Sequence, residues 1–269
     1  MANIKKVFVS SDMEGTCGIT AWCETDKGQD LYEHFRKQMS RECAAACEGA
    51  VMAGAEELLV KDAHDSARNI DPSILPQQAK IYRGWGRHPF SMMAGIDGSF
   101  DGVIFTGYHS AAEMDTSPLS HTMNTQNNYV KLNDELCPEL MLNSLTASYC
   151  GVPVYCVTGD KGLCDWMQAH CPGTVVVPVN EGHGSGVISI HPDLAVCRIR
   201  EAAQNCFDTD REKCLFPMPA AFKCEISFKE HFKAESARWY PGCVKTGART
   251  VRFESRDYMD VLKFIHWVL

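Results

Sequence analysis

The chain has 269 residues, and 45% of them are hydrophobic, which is enough apolar material for one large domain or two modest ones. Its formal net charge of -8 excludes the broad positive surface that nucleic-acid-binding proteins use, so we expect no nucleic-acid partner. The sequence has no run of 18 apolar residues and no signal-peptide core after Met-Ala-Asn-Ile-Lys-Lys, so we expect no membrane partner and a cytoplasmic location.

The first predicted strand covers residues 7–11 and runs directly into two carboxylates, Asp12 and Glu14, and then Gly15. Its β-branched and aromatic residues are typical of a buried strand. Carboxylates at the end of such a strand are unfavourable unless a cation meets them, and they suit a divalent ion. The alternative is a capping Asp12 with a solvated Glu14, and this stretch alone leaves both interpretations open.

Strand and helix patterns alternate along the rest of the chain. The predicted elements are helix 29–53, strands 57–61 and 79–82, helix 91–94, strand 102–109, a hairpin turning at 133–134, helix 138–149, strand 154–158, a helix ending at 169, strand 174–179, a glycine-rich stretch at 181–186, helix 192–207, strand 222–228, helix 229–238, strand 249–254 and helix 257–268. This alternation predicts an α/β fold, a three-layer, mainly parallel sheet with helices on both faces.

We place a boundary at the proline pair Pro217 and Pro219. Residues 1–216 are then predicted to form a metal-binding catalytic α/β domain. Residues 217–269 are predicted to form a small α+β segment of β-α-β-α order, which elements of the first domain can complete. The 14 cysteines include no Cys-x-x-Cys pair, so we interpret them as reduced, mostly buried apolar residues and expect neither a zinc cage nor a disulfide framework.

Polar side chains follow several of the predicted strands. Four strands end in such a residue, namely Asp12, His64, His109 and Asp160. Ligands of parallel sheets bind beyond the carboxyl ends of the strands, and imidazoles with carboxylates form the ligand set of zinc or a similar ion. A single histidine at such a position is more often a hydrogen-bonded partner than a metal ligand, but the joint occurrence of His64 and His109 with Glu14 favours a metal site. For His183 and His191 we expect loop or helix-cap roles.

Five short motifs in this order resemble peptidase family M55, the zinc D-aminopeptidases once described as dipeptide-transport proteins. The motifs are Ser-Asp12-Met-Glu14-Gly15, Lys-Asp62-Ala-His64, Gly107-Tyr108-His109, Leu-Ser120-His121-Thr-Met and Pro-Glu139-Leu. A later Ser189-Ile-His-Pro192 is similar too, so the resemblance covers most of the chain.

The resemblance implies two Zn²⁺ ions per chain, with Asp12 bridging them and four further ligands, Glu14, His64, His109 and Glu139. It also implies that His121 is the catalytic residue and that the chain forms a ring-shaped homo-oligomer, a decamer. The implied reaction is hydrolysis of the N-terminal residue, a D-amino acid, from short peptides or amino-acid amides. Two metal ions would activate the water, and His121 would act as base or as nucleophile.

Two features depart from the family pattern. Lys61 stands where a small polar residue is expected, and the loop from His109 to His121 is about one residue longer, so we expect this loop to shape the substrate entrance. Two other functions stay open, another binuclear metallohydrolase (a phosphoesterase or amidohydrolase) and a non-enzymatic peptide-binding component. A phosphoesterase would need cations near the site, for which the sequence suggests only Arg68 and Lys161.

Overall fold

A computed structural model describes residues 4–269 and contains two separate β-sheets. The larger sheet has seven strands in the order β3-β2-β1-β4-β7-β8-β9. Its strands are β1 (Lys6–Ser11), β2 (Glu57–Asp62), β3 (Ala79–Tyr82), β4 (Gly102–Tyr108), β7 (Val154–Asp160), β8 (Val175–His183) and β9 (Gly186–Ser189). All neighbours pair in parallel except β8 and β9, so the predicted mainly parallel α/β sheet is confirmed.

Helices cover both faces of this sheet. They are α1 (Tyr32–Met52), α2 (Glu139–Tyr149), α3 (Lys161–His170) and α4 (Pro192–Asn205). Alternate side chains of β1 point to opposite faces. Val7 and Val9 join the core beneath α1 and α4, whereas Phe8 joins the core that contains α2 and α3 residues. None of the helices within residues 4–269 has the length and apolarity that crossing a lipid bilayer requires.

The smaller sheet is antiparallel and has five strands in the order β11-β12-β10-β5-β6. Its elements, with the two helices that follow its strands, are β5 (Asn127–Leu132), β6 (Glu135–Leu136), β10 (Phe222–Phe228), α5 (His231–Ala237), β11 (Val244–Lys245), β12 (Thr250–Ser255) and α6 (Tyr258–Val268). The β5–β6 hairpin therefore belongs to the smaller sheet, where β5 pairs with β10, although the hairpin precedes residue 217 in the chain. The division into residues 1–216 and 217–269 stays a prediction.

One predicted boundary differs from the structure, and two elements were not predicted. Helix α1 begins at Tyr32 and not at residue 29. The glycine-rich stretch 181–186 is the end of β8 and a tight hairpin into β9, with Gly184 at φ +61°. Strand β11 has only two residues, which is too short to produce a recognisable alternation of apolar and polar side chains.

Ten of the 14 cysteines are buried, and all 14 carry free thiols. Burial raises the pKa of the Cys156 thiol to about 12 and that of Cys214 to about 12 as well. Thiols of this kind stay protonated and pack as small apolar side chains.

Glu42 is a buried carboxyl group on α1, only 1% exposed. One oxygen accepts hydrogen bonds from the Cys17 backbone N–H at 3.0 Å and from Gln38 Nε2 at 2.9 Å, whereas Oε2 has no hydrogen-bond partner. Burial raises the pKa of Glu42 from its ordinary value of 4.5 to about 7. Because the unfolded chain ionises at lower pH than the folded one, Glu42 destabilises the fold increasingly between those two values.

Glutamine cannot ionise, so the Glu42→Gln variant is expected to become more stable than the wild type as pH rises. Relative to the wild type, the variant should gain up to about 3 kcal/mol in the free energy of unfolding between about pH 5 and about pH 8. Urea unfolding of both proteins at the two pH values measures this change. A stability difference that does not depend on pH would contradict the assignment of Glu42 as a group with a raised pKa.

Candidate metal centre and active site

Three neighbouring strands carry three of the predicted site residues to one edge of the larger sheet. Asp12 follows β1, His64 lies two residues beyond β2, and His109 follows β4. Because these strands are adjacent and parallel in the order β2-β1-β4, their carboxyl ends meet. Glu139, the first residue of α2, and His121, on the loop before β5, complete a single cluster.

Two groups of potential metal ligands share Asp12. The ligand atoms of Asp12, Glu14 and His64 lie within 4.8 Å of one another, and so do those of Asp12, His109 and Glu139. His64 Nδ1 lies 3.1 Å from Glu14 Oε2 and 3.4 Å from Asp12 Oδ1. His109 Nε2 lies 3.5 Å from Asp12 Oδ2 and 3.6 Å from Glu139 Oε2. All five side chains are buried, so bulk water does not screen this concentration of charge.

The imidazole rings are oriented by backbone carbonyl groups outside the cluster. His64 Nε2 donates to the carbonyl of Thr25 at 3.0 Å, and His109 Nδ1 donates to the carbonyl of Ser110 at 2.9 Å. A carbonyl oxygen only accepts, so each of these ring nitrogens carries a proton, and the other nitrogen faces the carboxylates. This is the arrangement in which metal-binding histidines are usually held.

Several buried acceptors in the cluster have no donor from the protein. Asp12 Oδ2, Glu14 Oε2 and His109 Nε2 make no hydrogen bond among the described residues. Buried polar atoms normally find a partner, and acceptor atoms that face one another favour a proton or a metal cation between them. Imidazole nitrogens and carboxylate oxygens without thiolates are the donor set of Zn²⁺ or a similar divalent ion, so the residues fit such an ion.

The protein groups alone are electrostatically unfavourable in this arrangement. Burial and the neighbouring Glu14 carboxylate raise the pKa of Asp12 well above its usual range. Burial on its own would lower the pKa of His64 and of His109, but the carboxylates beside them, Glu14 and Glu139 respectively, raise both pKa values well above the usual range. Positive charge is therefore strongly favoured at this position, as protons or as metal ions.

His121 occupies the side of the cluster that faces the cavity. Its ring stacks on that of His109, with centroids 4.2 Å apart, and meets the edge of Trp22 at 5.1 Å. Nδ1 donates to the Leu119 carbonyl at 3.0 Å, so the unprotonated Nε2 points inward, 3.6 Å from Glu139 Oε1. Burial and the nearby His109 lower the pKa of His121. His121 is thus a neutral imidazole with a free lone pair. It is suited either to accept a proton or to bind a metal ion together with Glu14 and His109.

Other polar residues singled out from the sequence lie outside the cluster. Asp160 accepts hydrogen bonds from the Ser110 backbone N–H at 2.6 Å and from Leu163 N at 2.9 Å, so it caps α3 and fixes the chain after His109. His191 is the residue before α4, and its Nδ1 accepts from Asp193 N at 3.2 Å. His183 is exposed near the β8–β9 turn.

A cavity of about 820 Å³ is lined by every residue of the cluster except His109. Among residues 110–121 only His121 lines the cavity, and the expectation that the loop from His109 to His121 shapes the substrate entrance stays a prediction. Residues 85–92 also line the cavity. Sequence reasoning missed this segment because it carries no motif and follows a short strand.

Lys61, the departure from the family pattern, is fully buried behind this segment. Its Nζ donates to the carbonyls of Asp62 at 2.5 Å and Gly84 at 3.1 Å and lies 4.2 Å from the centre of the Trp85 ring. Burial lowers the pKa of Lys61 to about 8. The hydrogen bonds and the cation–π contact attach the wall of the cavity to the end of β2.

Comparison with known proteins agrees with this geometry. The model of the D-aminopeptidase family, Peptidase M55, matches residues 5–267. A D-aminopeptidase of Bacillus subtilis (strain 168) is 32% identical over 261 residues, which cover 95% of this chain and 93% of that protein. The structure of the Zn-dependent D-aminopeptidase DppA from Bacillus subtilis, a self-compartmentalizing protease, superposes with a TM-score of 0.90 at 30% identity, covering 98% of this chain and 96% of that one. The chain therefore belongs to peptidase family M55, the D-aminopeptidases.

Proposed function

We propose that this protein is a zinc-dependent D-aminopeptidase that releases the N-terminal residue from short peptides or amino-acid amides. The observation that carries the proposal is the cluster of buried acceptors at the cavity, in which Asp12 Oδ2, Glu14 Oε2 and His109 Nε2 have no donor. A cation meets this need, and family membership and the zinc-dependent relative of similar structure support zinc and a peptide substrate.

Asp12 is proposed to bridge two Zn²⁺ ions, because it belongs both to the group with Glu14 and His64 and to the group with His109 and Glu139. Glu14 and His64 would complete one site, and His109 and Glu139 the other. When bound, the two ions would polarise the scissile carbonyl and make water a better nucleophile near neutral pH. The site residues and the number of ions are our proposal.

The chain's own groups are proposed to position the substrate and to move the proton. The two acidic lining residues outside the ligand set, Asp26 and Asp65, would attract the ammonium group of a peptide into the cavity. Nε2 of His121, neutral and facing the cluster, would accept a proton during attack and return it to the leaving amine. We favour the role of base over that of nucleophile, since Glu139 Oε1 lies 3.6 Å from Nε2 and its charge stabilises the imidazolium that forms.

A substrate panel tests the reaction itself. The zinc-loaded protein is expected to hydrolyse amides and dipeptides with an N-terminal D-residue faster than their L-counterparts, measured as released amino acid. Removal of the metal with a chelator should stop hydrolysis, and added Zn²⁺ should restore it. If the panel stays intact while a phosphoester is cleaved, the protein is a phosphoesterase. If peptides bind without cleavage, the protein is a peptide-binding component.

We further propose a ring-shaped homo-oligomer, a decamer, with the active sites facing an inner chamber. Support comes from the related self-compartmentalizing protease and from large exposed apolar side chains such as Trp239, Trp267 and Ile188, which are 77%, 73% and 65% exposed in the single chain. The cytoplasmic location stays a prediction.

Light scattering tests the assembly. With a chain of 29.9 kDa, a decamer has a mass of about 300 kDa. A monomeric mass at micromolar protein concentration would contradict the assembly without touching the proposed reaction.

A further inference from the structure

The cavity wall carries a single strongly basic side chain, that of Arg87. No other lysine or arginine among residues 4–269 lines the cavity, and neither Arg68 nor Lys161, the cations expected from the sequence, does so. The acidic lining residues are Asp12, Glu14, Asp26, Asp65 and Glu139. The cavity thus presents a concentration of carboxylates and one separate guanidinium group.

The Arg87 guanidinium has no partner of its own. It is exposed and, within the described chain, makes neither a hydrogen bond nor an ion pair, although acidic side chains line the same cavity. Arg83, four residues earlier, instead donates to the carbonyl of Arg68 at 3.4 Å. The five N–H donors of Arg87 are therefore available to a ligand.

The segment that carries Arg87 is held firmly at its base. Gly84 N donates to the Ala67 carbonyl at 2.7 Å, and Trp85 Nε1 donates to the Asp65 carbonyl at 2.7 Å. Lys61 also contacts both Gly84 and Trp85, as described above. Arg87 itself has φ +57°, a left-handed conformation that is unfavourable for a residue with a side chain. Conformations of this kind occur often at ligand sites, where the surrounding structure maintains them.

We propose that Arg87 binds the C-terminal carboxylate of a short peptide substrate, so that peptides with a free carboxylate are preferred over amino-acid amides. A short peptide is a zwitterion, whose ammonium group suits the acidic lining residues outside the ligand set, Asp26 and Asp65, and whose carboxylate matches the planar, paired donors of arginine. A volume of about 820 Å³ is in the range of cavities that enclose small ligands. This inference rests on the proposed function and narrows its substrate class.

The test compares one dipeptide that has an N-terminal D-residue with the C-terminal amide of the same dipeptide. Arg87→Met is expected to lower kcat/KM about 10- to 100-fold on the free acid, as for the loss of a charge-assisted hydrogen bond, and to leave the amide within about twofold. Arg87→Lys should recover part of the loss. Arg83→Met is the matched control, because it removes the same charge from the same loop outside the cavity lining, and it should change neither value.

Other outcomes overturn the inference. Equal losses on the acid and the amide would mean that Arg87 supports the wall in general, and unchanged values would mean that it does not contact the substrate. A smaller mass of Arg87→Met by light scattering, with selectivity unchanged, would make Arg87 a subunit contact. In these three cases the wild type still cleaves peptides, so the proposed function stands. A wild type that cleaves neither compound would instead reject the proposed function.

Discussion

Replacing Asp12 with alanine is expected to remove both of the proposed zinc ions from each chain and to abolish turnover. Asp12 belongs to both ligand groups, and its two oxygens lie on different sides, Oδ1 at 3.4 Å from His64 and Oδ2 at 3.5 Å from His109. Under the proposed two-ion arrangement, its loss removes one ligand from each site and the negative charge between the two cations. No other carboxylate of the cluster belongs to both groups, so neither site can compensate.

The measurement is elemental analysis of zinc per chain, with turnover assayed on the same sample. Glu42→Gln is the matched control, because it neutralises another buried carboxylate that has an unpartnered oxygen but lies outside the ligand groups. The control should keep its full metal content. An Asp12→Ala protein that loses only one ion per chain would show that the ions do not share this ligand, and unchanged zinc would remove Asp12 from the centre.

Replacing His121 with alanine is expected to lower turnover by about two to four orders of magnitude while the metal content stays unchanged. The reason is geometric, since Nδ1 is held by the Leu119 carbonyl at 3.0 Å and Nε2 faces the cluster with its lone pair free. A lost proton acceptor slows the chemical step, whereas a lost ligand lowers metal content and rate together. The two roles therefore give different results in one variant.

Zinc per chain, turnover and the circular dichroism spectrum should be measured on one preparation of His121→Ala. His183→Ala is the control, because it deletes an exposed imidazole near the β8–β9 turn and should behave as the wild type. Loss of zinc from His121→Ala would make His121 a ligand, in agreement with the donor group that it forms with Glu14 and His109. Turnover close to that of the wild type would exclude His121 from the mechanism.

The sequence by itself determined the local parts of this protein. The run of β-branched and aromatic residues at 7–11 and the apolar spacing of residues 29–53 depend only on neighbours along the chain, so strand β1 and helix α1 were predictable, apart from the start of α1 at Tyr32. The clustering of the polar residues that follow three of the strands was also predictable. Parallel strands of an α/β sheet end at the same edge, so Asp12, His64 and His109 had to lie near one another.

Tertiary structure decided how the more distant segments meet. The motif resemblance suggested Glu139 and His121 as site residues, but only the packing of α2 and of the loop before β5 brings them to the strand ends. The β5–β6 hairpin pairs with β10, almost 100 residues later, because an edge strand can hydrogen-bond to any strand with a matching register. The role of Arg87 was not predictable from the sequence, because it too depends on contacts between distant segments. The chemistry of an exposed arginine depends on the cavity it lines, and that cavity is formed between the loop that Lys61 contacts and residues of α6.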